Sequence, residues 1–129
     1  FSNFRQHFAR GQGFSYGLED IGLYYTDYVR LMAHFDHVLP GRAHRVIHER
    51  LLDDPEGEIA RLLAALNLPF EQACLDFHNS GRAVRTASSE QVRRPINRDG
   101  VDQWRTYDRH LQPLRDALGT VLAAYPEMP

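Results

Sequence analysis

The sequence predicts a mostly α-helical chain with one short strand and a long irregular segment near its carboxy-terminal end. Three observations carry that reading. Apolar residues step by three and four from Leu18 to Leu39, the period of one helix face. Val46 and Ile47 centre a short β-prone run, AHRVIHERL (43–51), set between helical patterns. The stretch AVRTASSEQVRRPINRDGVDQW (83–104) has no clean hydrophobic period and is rich in arginine. A strand followed by one helix and preceded by another belongs to an α/β layer. One strand makes no sheet, so either its partner strands lie upstream of Phe1 or the chain is mostly helical by itself.

Phe1, Phe4 and Phe8 repeat at helical spacing, so the chain opens inside a helix, which GQGFSYG breaks. The clearest element follows, with Leu18, Ile21, Tyr25, Tyr28, Met32, Phe35 and Leu39 as its expected buried face. Ser15 lies ahead of it. Glu19 and Asp20 stand in its first turn, where the helix dipole favours acids, and Pro40-Gly41 ends it. After the strand, Asp54 then Pro55 forms a helix start, an N-cap followed by proline at the first position. Ile59, Leu62, Leu63 and Leu66 supply that helix's inner face. Leu68-Pro69-Phe70 closes it, and a shorter helix is expected over 71–78. A last helix near 107–124 uses Tyr107, Leu111, Leu114, Leu118 and Val121, with a kink or restart at Pro113.

With 129 residues, 43% hydrophobic and 25% charged, the chain is one domain's worth of ordinary globular composition. No apolar run approaches a membrane span. The opening FSNFRQHFARGQG has no signal-peptide core and no initiator methionine, so the chain reads as a piece of something longer. Cys74 stands alone, which excludes an intrachain disulfide and a cysteine-rich zinc site. It reads as core packing.

A net charge of −2 argues against a general nucleic-acid binder. That charge is unevenly spread. Arg82, Arg85, Arg93, Arg94 and Arg98 face one acid, Glu90, within residues 82–98, a local +4 that leaves −6 elsewhere. A cationic loop on an acidic body points to a specific anion rather than a polyanion. Serine hydroxyls, backbone amides and guanidinium forks together suit a phosphate or sulfate ester; the bland alternative is a solvated charged loop. The loop ends at Trp104, the only tryptophan, which is expected to pin it to the core.

His34 and His37 share a helix face, and His44 and His48 a strand face, with no acid at ligand spacing, so no metal is expected. His7 and His110 read as surface residues. The sequence contains no GxxxxGK[ST], GxSxG or HExxH motif, and the glycines of GQGFSYG do not follow a strand.

VRTASSEQVRRPI followed by Trp104, together with HERLLDDPEGEIARLLAALNLPF, resembles the carboxy-terminal half of sulfotransferases that use 3′-phosphoadenosine 5′-phosphosulfate. The likeness extends from Phe1 to about Gly119. It is to the tyrosylprotein sulfotransferases and their bacterial relatives, which often carry tetratricopeptide repeats. It implies an α/β parent fold of P-loop type, a parallel sheet with flanking helices, of which residues 1–129 are the carboxy-terminal part. The family's phosphosulfate-binding loop and catalytic glutamate precede this region.

Residue by residue, the resemblance implies the following roles. Ser2 matches the serine of RxPxxxxxS, which grips the 3′-phosphate. Gln6 takes the place of a further family arginine, with Arg5 adjacent. His48 stands where the strand motif YExL has its tyrosine, and Glu49 and Leu51 keep the rest. Ser88 falls on the serine that contacts the sulfuryl group and stabilises its transferred charge. Ser89, Gln91, Arg93, Arg94, Pro95 and Asn97, interleaved with Glu90, Val92 and Ile96, follow the segment that covers the nucleotide. Gln103 replaces a basic residue before the tryptophan. The implied partners are the nucleotide donor, a hydroxyl acceptor (protein tyrosine, glycan or small molecule) and the remainder of the same domain, with no metal, nucleic acid or membrane. The implied setting is a bacterial cytoplasm, and the fragment alone is expected to be inactive. Two rival readings are a non-catalytic module that binds an anion or phosphopeptide through the arginine loop, and a helical interaction domain with that loop as a surface tether.

Overall fold

A computed structural model describes residues 1–8, 10–81, 83–84 and 89–124. The chain forms two units, Phe1–Ala43 with Asp102–Pro129, and His44–Val101.

The first unit is built on the long helix. Its helices are α1 (Ser2–Arg5), α2 (Leu18–Val38), α5 (Gln112–Leu118) and α6 (Thr120–Ala124), and 3-10 turns run over Gly13–Tyr16 and Gln103–His110. The two helices between α2 and α5 in chain order belong to the second unit. The predicted limits of α2 hold closely. Glu19 and Asp20 occupy its first turn. The Leu39 amide makes the last helical hydrogen bond to Phe35 O, and Gly41 turns the chain at a φ of 72°, a backbone state that glycine reaches without steric cost.

The buried face of α2 differs from the expected one. Of the expected set Ile21 is buried and Leu18 and Met32 are half-buried, whereas Tyr25, Tyr28, Phe35 and Leu39 are each more than a third exposed, and Gly22 and Val29 are buried instead. The cause is the partner helix. α2 packs mainly on α5, and a β-carbon at Gly22 would lie 2.6 Å from Ala117 Cβ and 3.1 Å from Leu114 O. The missing side chain lets the two backbones approach, and the helix turns that line inward. The Thr26 hydroxyl donates to Gly22 O at 3.0 Å and faces Ala117 O at 3.3 Å. Leu111 and Val121 complete the buried apolar set. Tyr24, Tyr28, Leu31, Phe35 and Val38, at helical spacing, remain exposed on another line of α2.

Ser15 is 1% exposed and donates to Gln12 O at 2.7 Å. It closes the Gly13–Tyr16 turn rather than capping α2, whose N-cap is Gly17. Phe14 stacks flat on Tyr24 at 3.9 Å. The opening helix is a single turn, Ser2–Arg5, and the expected last helix is split. Gln103–His110 is 3-10, and α5 restarts with Pro113 in its first turn, where no amide hydrogen bond is lost.

The second unit contains α3 (His48–Asp53) and α4 (Pro55–Ala65), packed on each other, with 3-10 turns at Gln72–Cys74, Phe77–Asn79 and Gln91–Arg93. The expected strand over 43–51 is not formed, and no strand occurs among the described residues. Residues 44–47 are non-helical and HERLLD is helical. An extended run needs a neighbouring strand to accept its hydrogen bonds, whereas a helix satisfies them locally. The expected helix over 71–78 is likewise reduced to two 3-10 turns.

α4 begins as expected. Asp54 Oδ1 accepts the Gly57 amide at 3.0 Å, and Pro55 sits in the first turn. Its end is a Schellman arrangement. Asn67 takes φ 55°, the Leu68 amide reaches Leu63 O at 2.8 Å, and the Asn67 amide reaches Ala64 O at 3.0 Å. Glu58 is buried at 5% exposure and paired with Arg61 one turn on; Ile59, Leu62 and Leu63 are half-buried and Leu66 is exposed.

Candidate functional site

The residues assigned by resemblance fall in both units. In the first, α1 carries Ser2 and Arg5, both exposed. The Arg5 guanidinium donates from Nη1 to Gln103 Oε1 at 2.9 Å, and it lies 5.6 Å from the centre of the Phe1 ring. Phe1 in turn stacks on Tyr107 at 4.8 Å. These contacts seat the start of the chain on the 3-10 turn Gln103–His110. Two positions 98 residues apart thereby become hydrogen-bonded neighbours.

Trp104, next in sequence, is 37% exposed and only partly anchored. The guanidiniums of Arg105 and Arg115 approach its ring at 5.4 and 5.6 Å. Arg115 is also ion-paired with Asp108. Beside them is a cavity of about 250 Å³ lined by Phe1, Trp104, Leu111, Leu114, Leu118 and Leu122, with Arg115 as its charged group.

In the second unit, the arginine-rich segment has no long regular element among its described residues. Ser88 lies outside the described residues. Ser89 is half-buried in the turn that leads into Gln91–Arg93. Arg93 donates to Ser80 O at 2.7 Å, and its turn packs on Phe77–Asn79. Arg94 Nη2 meets Asp99 Oδ2 at 2.8 Å. Asn97 ties the intervening loop. Its Nδ2 donates to Pro95 O at 3.0 Å, and its Oδ1 accepts the Asp99 amide at 3.1 Å. Arg98 is ion-paired with Asp53, the last residue of α3. His48 opens that same short helix and is exposed.

Arg93, Arg94 and Arg98 therefore each hold a protein oxygen. Sequence reasoning missed Asp53 and Asp99 as their partners. The Arg94–Asp99 pair spans five residues and could have been suspected from the sequence, whereas Arg98–Asp53 spans 45 and left no sequence signal. Chemically its described residues offer the exposed guanidiniums of Arg93, Arg94 and Arg98 and the Ser89 hydroxyl, donors of the kind that suit a tetrahedral oxyanion. Among the described residues, no three His, Cys, Asp or Glu side chains gather to hold a metal ion, and no helix is long and apolar enough to cross a membrane.

Comparison with known proteins adds three findings. The profile described as the sulfotransferase family matches residues 1–72. An uncharacterized protein of Aquifex aeolicus (strain VF5) is 36% identical over 120 residues, covering 91% of this chain but only 16% of that protein. No solved structure matches.

Proposed function

The chain belongs to the sulfotransferase family, and on that premise we propose that it supplies the carboxy-terminal part of a site for 3′-phosphoadenosine 5′-phosphosulfate within a larger sulfotransferase domain. The reaction moves a sulfuryl group to a hydroxyl, and the tyrosylprotein resemblance makes a protein tyrosine the acceptor of this reading. The S–O bond to the nucleotide phosphate breaks, a new S–O bond forms to the acceptor oxygen, and the acceptor's proton leaves to a base outside these residues.

Such a transfer depends on in-line positioning and on donors aimed at spreading negative charge. Ser2 and Arg5 on α1 are assigned the 3′-phosphate. The resemblance assigns Ser89, Gln91, Arg93, Arg94, Pro95 and Asn97 to the segment that covers the nucleotide, and His48 to a position near it. The resemblance assigns Ser88 to the transferred group. An irregular segment suits this work because a helix or strand would spend its amides internally.

The observation that carries the reading is the Arg5–Gln103 hydrogen bond. It brings together, from opposite ends of the sequence, the segment that the resemblance assigns to the 3′-phosphate and Gln103, the position where the family has a basic residue before the tryptophan. The exposed apolar line of α2 supports placement in a larger domain, because isolated surfaces rarely leave so many large apolar side chains in a row.

Calorimetric titration with adenosine 3′,5′-bisphosphate tests the assignment. Arg5→Ala and Arg94→Ala are each expected to weaken binding about ten-fold, the loss of one charge-assisted hydrogen bond to phosphate. Unchanged affinity in both variants, or tighter binding of phosphopeptides than of the nucleotide, would favour the non-catalytic module instead.

A further inference from the structure

We propose that Asp99 and Asp53 are built-in anions that occupy the arginine segment until a phosphate-bearing nucleotide displaces them, so that these carboxylates set the segment's affinity and its preference for multiply charged ligands. The inference rests on the donor-site reading above and adds a competitor to it.

Each pair is a carboxylate on a guanidinium. Arg94 Nη2 meets Asp99 Oδ2 at 2.8 Å, and Arg98 is ion-paired with Asp53. Neither pair is buried. Side-chain exposure is 63% and 64% for Arg94 and Asp99, and 57% and 64% for Arg98 and Asp53. Exposed pairs of this kind shift an equilibrium by only about two- to five-fold. They therefore yield to a ligand that offers more charge and more oxygens in the fork geometry.

The Arg94 pair is imposed by the local chain. Asn97 bonds back to Pro95 O and forward to the Asp99 amide, which folds the loop so that Asp99 returns onto Arg94. The Arg98 pair ties the segment to the end of α3.

A carboxylate beside an arginine could instead hold the guanidinium ready for the ligand. Magnitudes decide against that role here. A carboxylate left about 5 Å from a phosphate dianion lowers binding on the order of ten-fold in water before salt screening. The gain from holding one exposed side chain in place is smaller, because the exposed pair itself orders little. Competition is the larger effect.

The test is titration of the full-length protein with adenosine 3′,5′-bisphosphate, comparing Asp99→Asn and Asp53→Asn with Glu71→Gln. Glu71 lies in the same unit, is exposed, and forms no ion pair with a described residue, so Glu71→Gln controls for the change in net charge alone. Asp99→Asn is expected to tighten binding about three- to ten-fold and Asp53→Asn about three-fold, with less than a two-fold change for Glu71→Gln. Asp99→Glu, which keeps the charge, is expected to return the affinity to its starting value. The gain from Asp99→Asn is expected to shrink with inorganic sulfate as ligand and to vanish in the Arg94→Ala background. Asp99→Asn and Asp53→Asn binding no tighter than Glu71→Gln, or weaker than the full-length parent, overturns the competitor role and leaves the donor site standing. No binding of the bisphosphate by the full-length parent or any variant overturns the donor-site reading and the competitor with it.

Discussion

Gly22→Ala probes the packing that organises the first unit. At an exposed helical position this change stabilises by about 1 kcal/mol, because alanine loses less backbone freedom on folding. At Gly22 the new methyl group meets Ala117 Cβ at 2.6 Å and Leu114 O at 3.1 Å. Ordinary carbon contacts lie at about 3.5–4.0 Å, so the two helices must part by roughly 1 Å. Overpacking of that kind costs about 1–3 kcal/mol. Separation also stretches the approach of the Thr26 hydroxyl to Ala117 O, already 3.3 Å, at a further cost below about 1 kcal/mol. The balance is a net loss of roughly 1–2 kcal/mol, or about 4–8 °C in Tm for a chain of this size. Urea denaturation followed by circular dichroism reads it directly. Ala117→Gly in the Gly22→Ala background removes the clash and is expected to show favourable coupling of about 1–2 kcal/mol in a double-mutant cycle. A Gly22→Ala chain as stable as its parent, or more so, would refute the close α2–α5 approach.

Asp54→Ala removes the side-chain acceptor of the Gly57 amide and is expected to cost about 1 kcal/mol in the same denaturation assay, with Asp54→Ser recovering most of it. Ser88→Ala in the full-length protein is expected to lower kcat for sulfuryl transfer at least ten-fold while changing bisphosphate affinity less than two-fold; equal losses in both would contradict the proposed transition-state role.

Legibility in the sequence followed how local each determinant was. α2 and α4 were readable because caps, proline, glycine and the three-four apolar step all lie inside the element, as at Asp54-Pro55 and Pro40-Gly41. The inward face of α2 was not readable. A long apolar helix carries more than one line of large side chains, and the choice between them was made by Gly22 and Ala117, 95 positions apart. The strand around Val46 and Ile47 failed for a related reason, since β propensity has effect only where another strand accepts the hydrogen bonds. At the candidate site, the cluster of arginines was visible in composition. Their pairing was not, because Asp53 and Gln103 reach Arg98 and Arg5 only through the fold.

Discrimination between adenosine 3′,5′-bisphosphate and adenosine 5′-monophosphate bears most directly on the donor site. The two ligands share base, sugar and 5′-phosphate and differ only in the 3′-phosphate assigned to Ser2 and Arg5. The bisphosphate is expected to bind at least ten-fold more tightly, with that advantage lost in Arg5→Ala. Equal affinity for the two nucleotides, or an advantage that survives Arg5→Ala unchanged, would contradict the assignment.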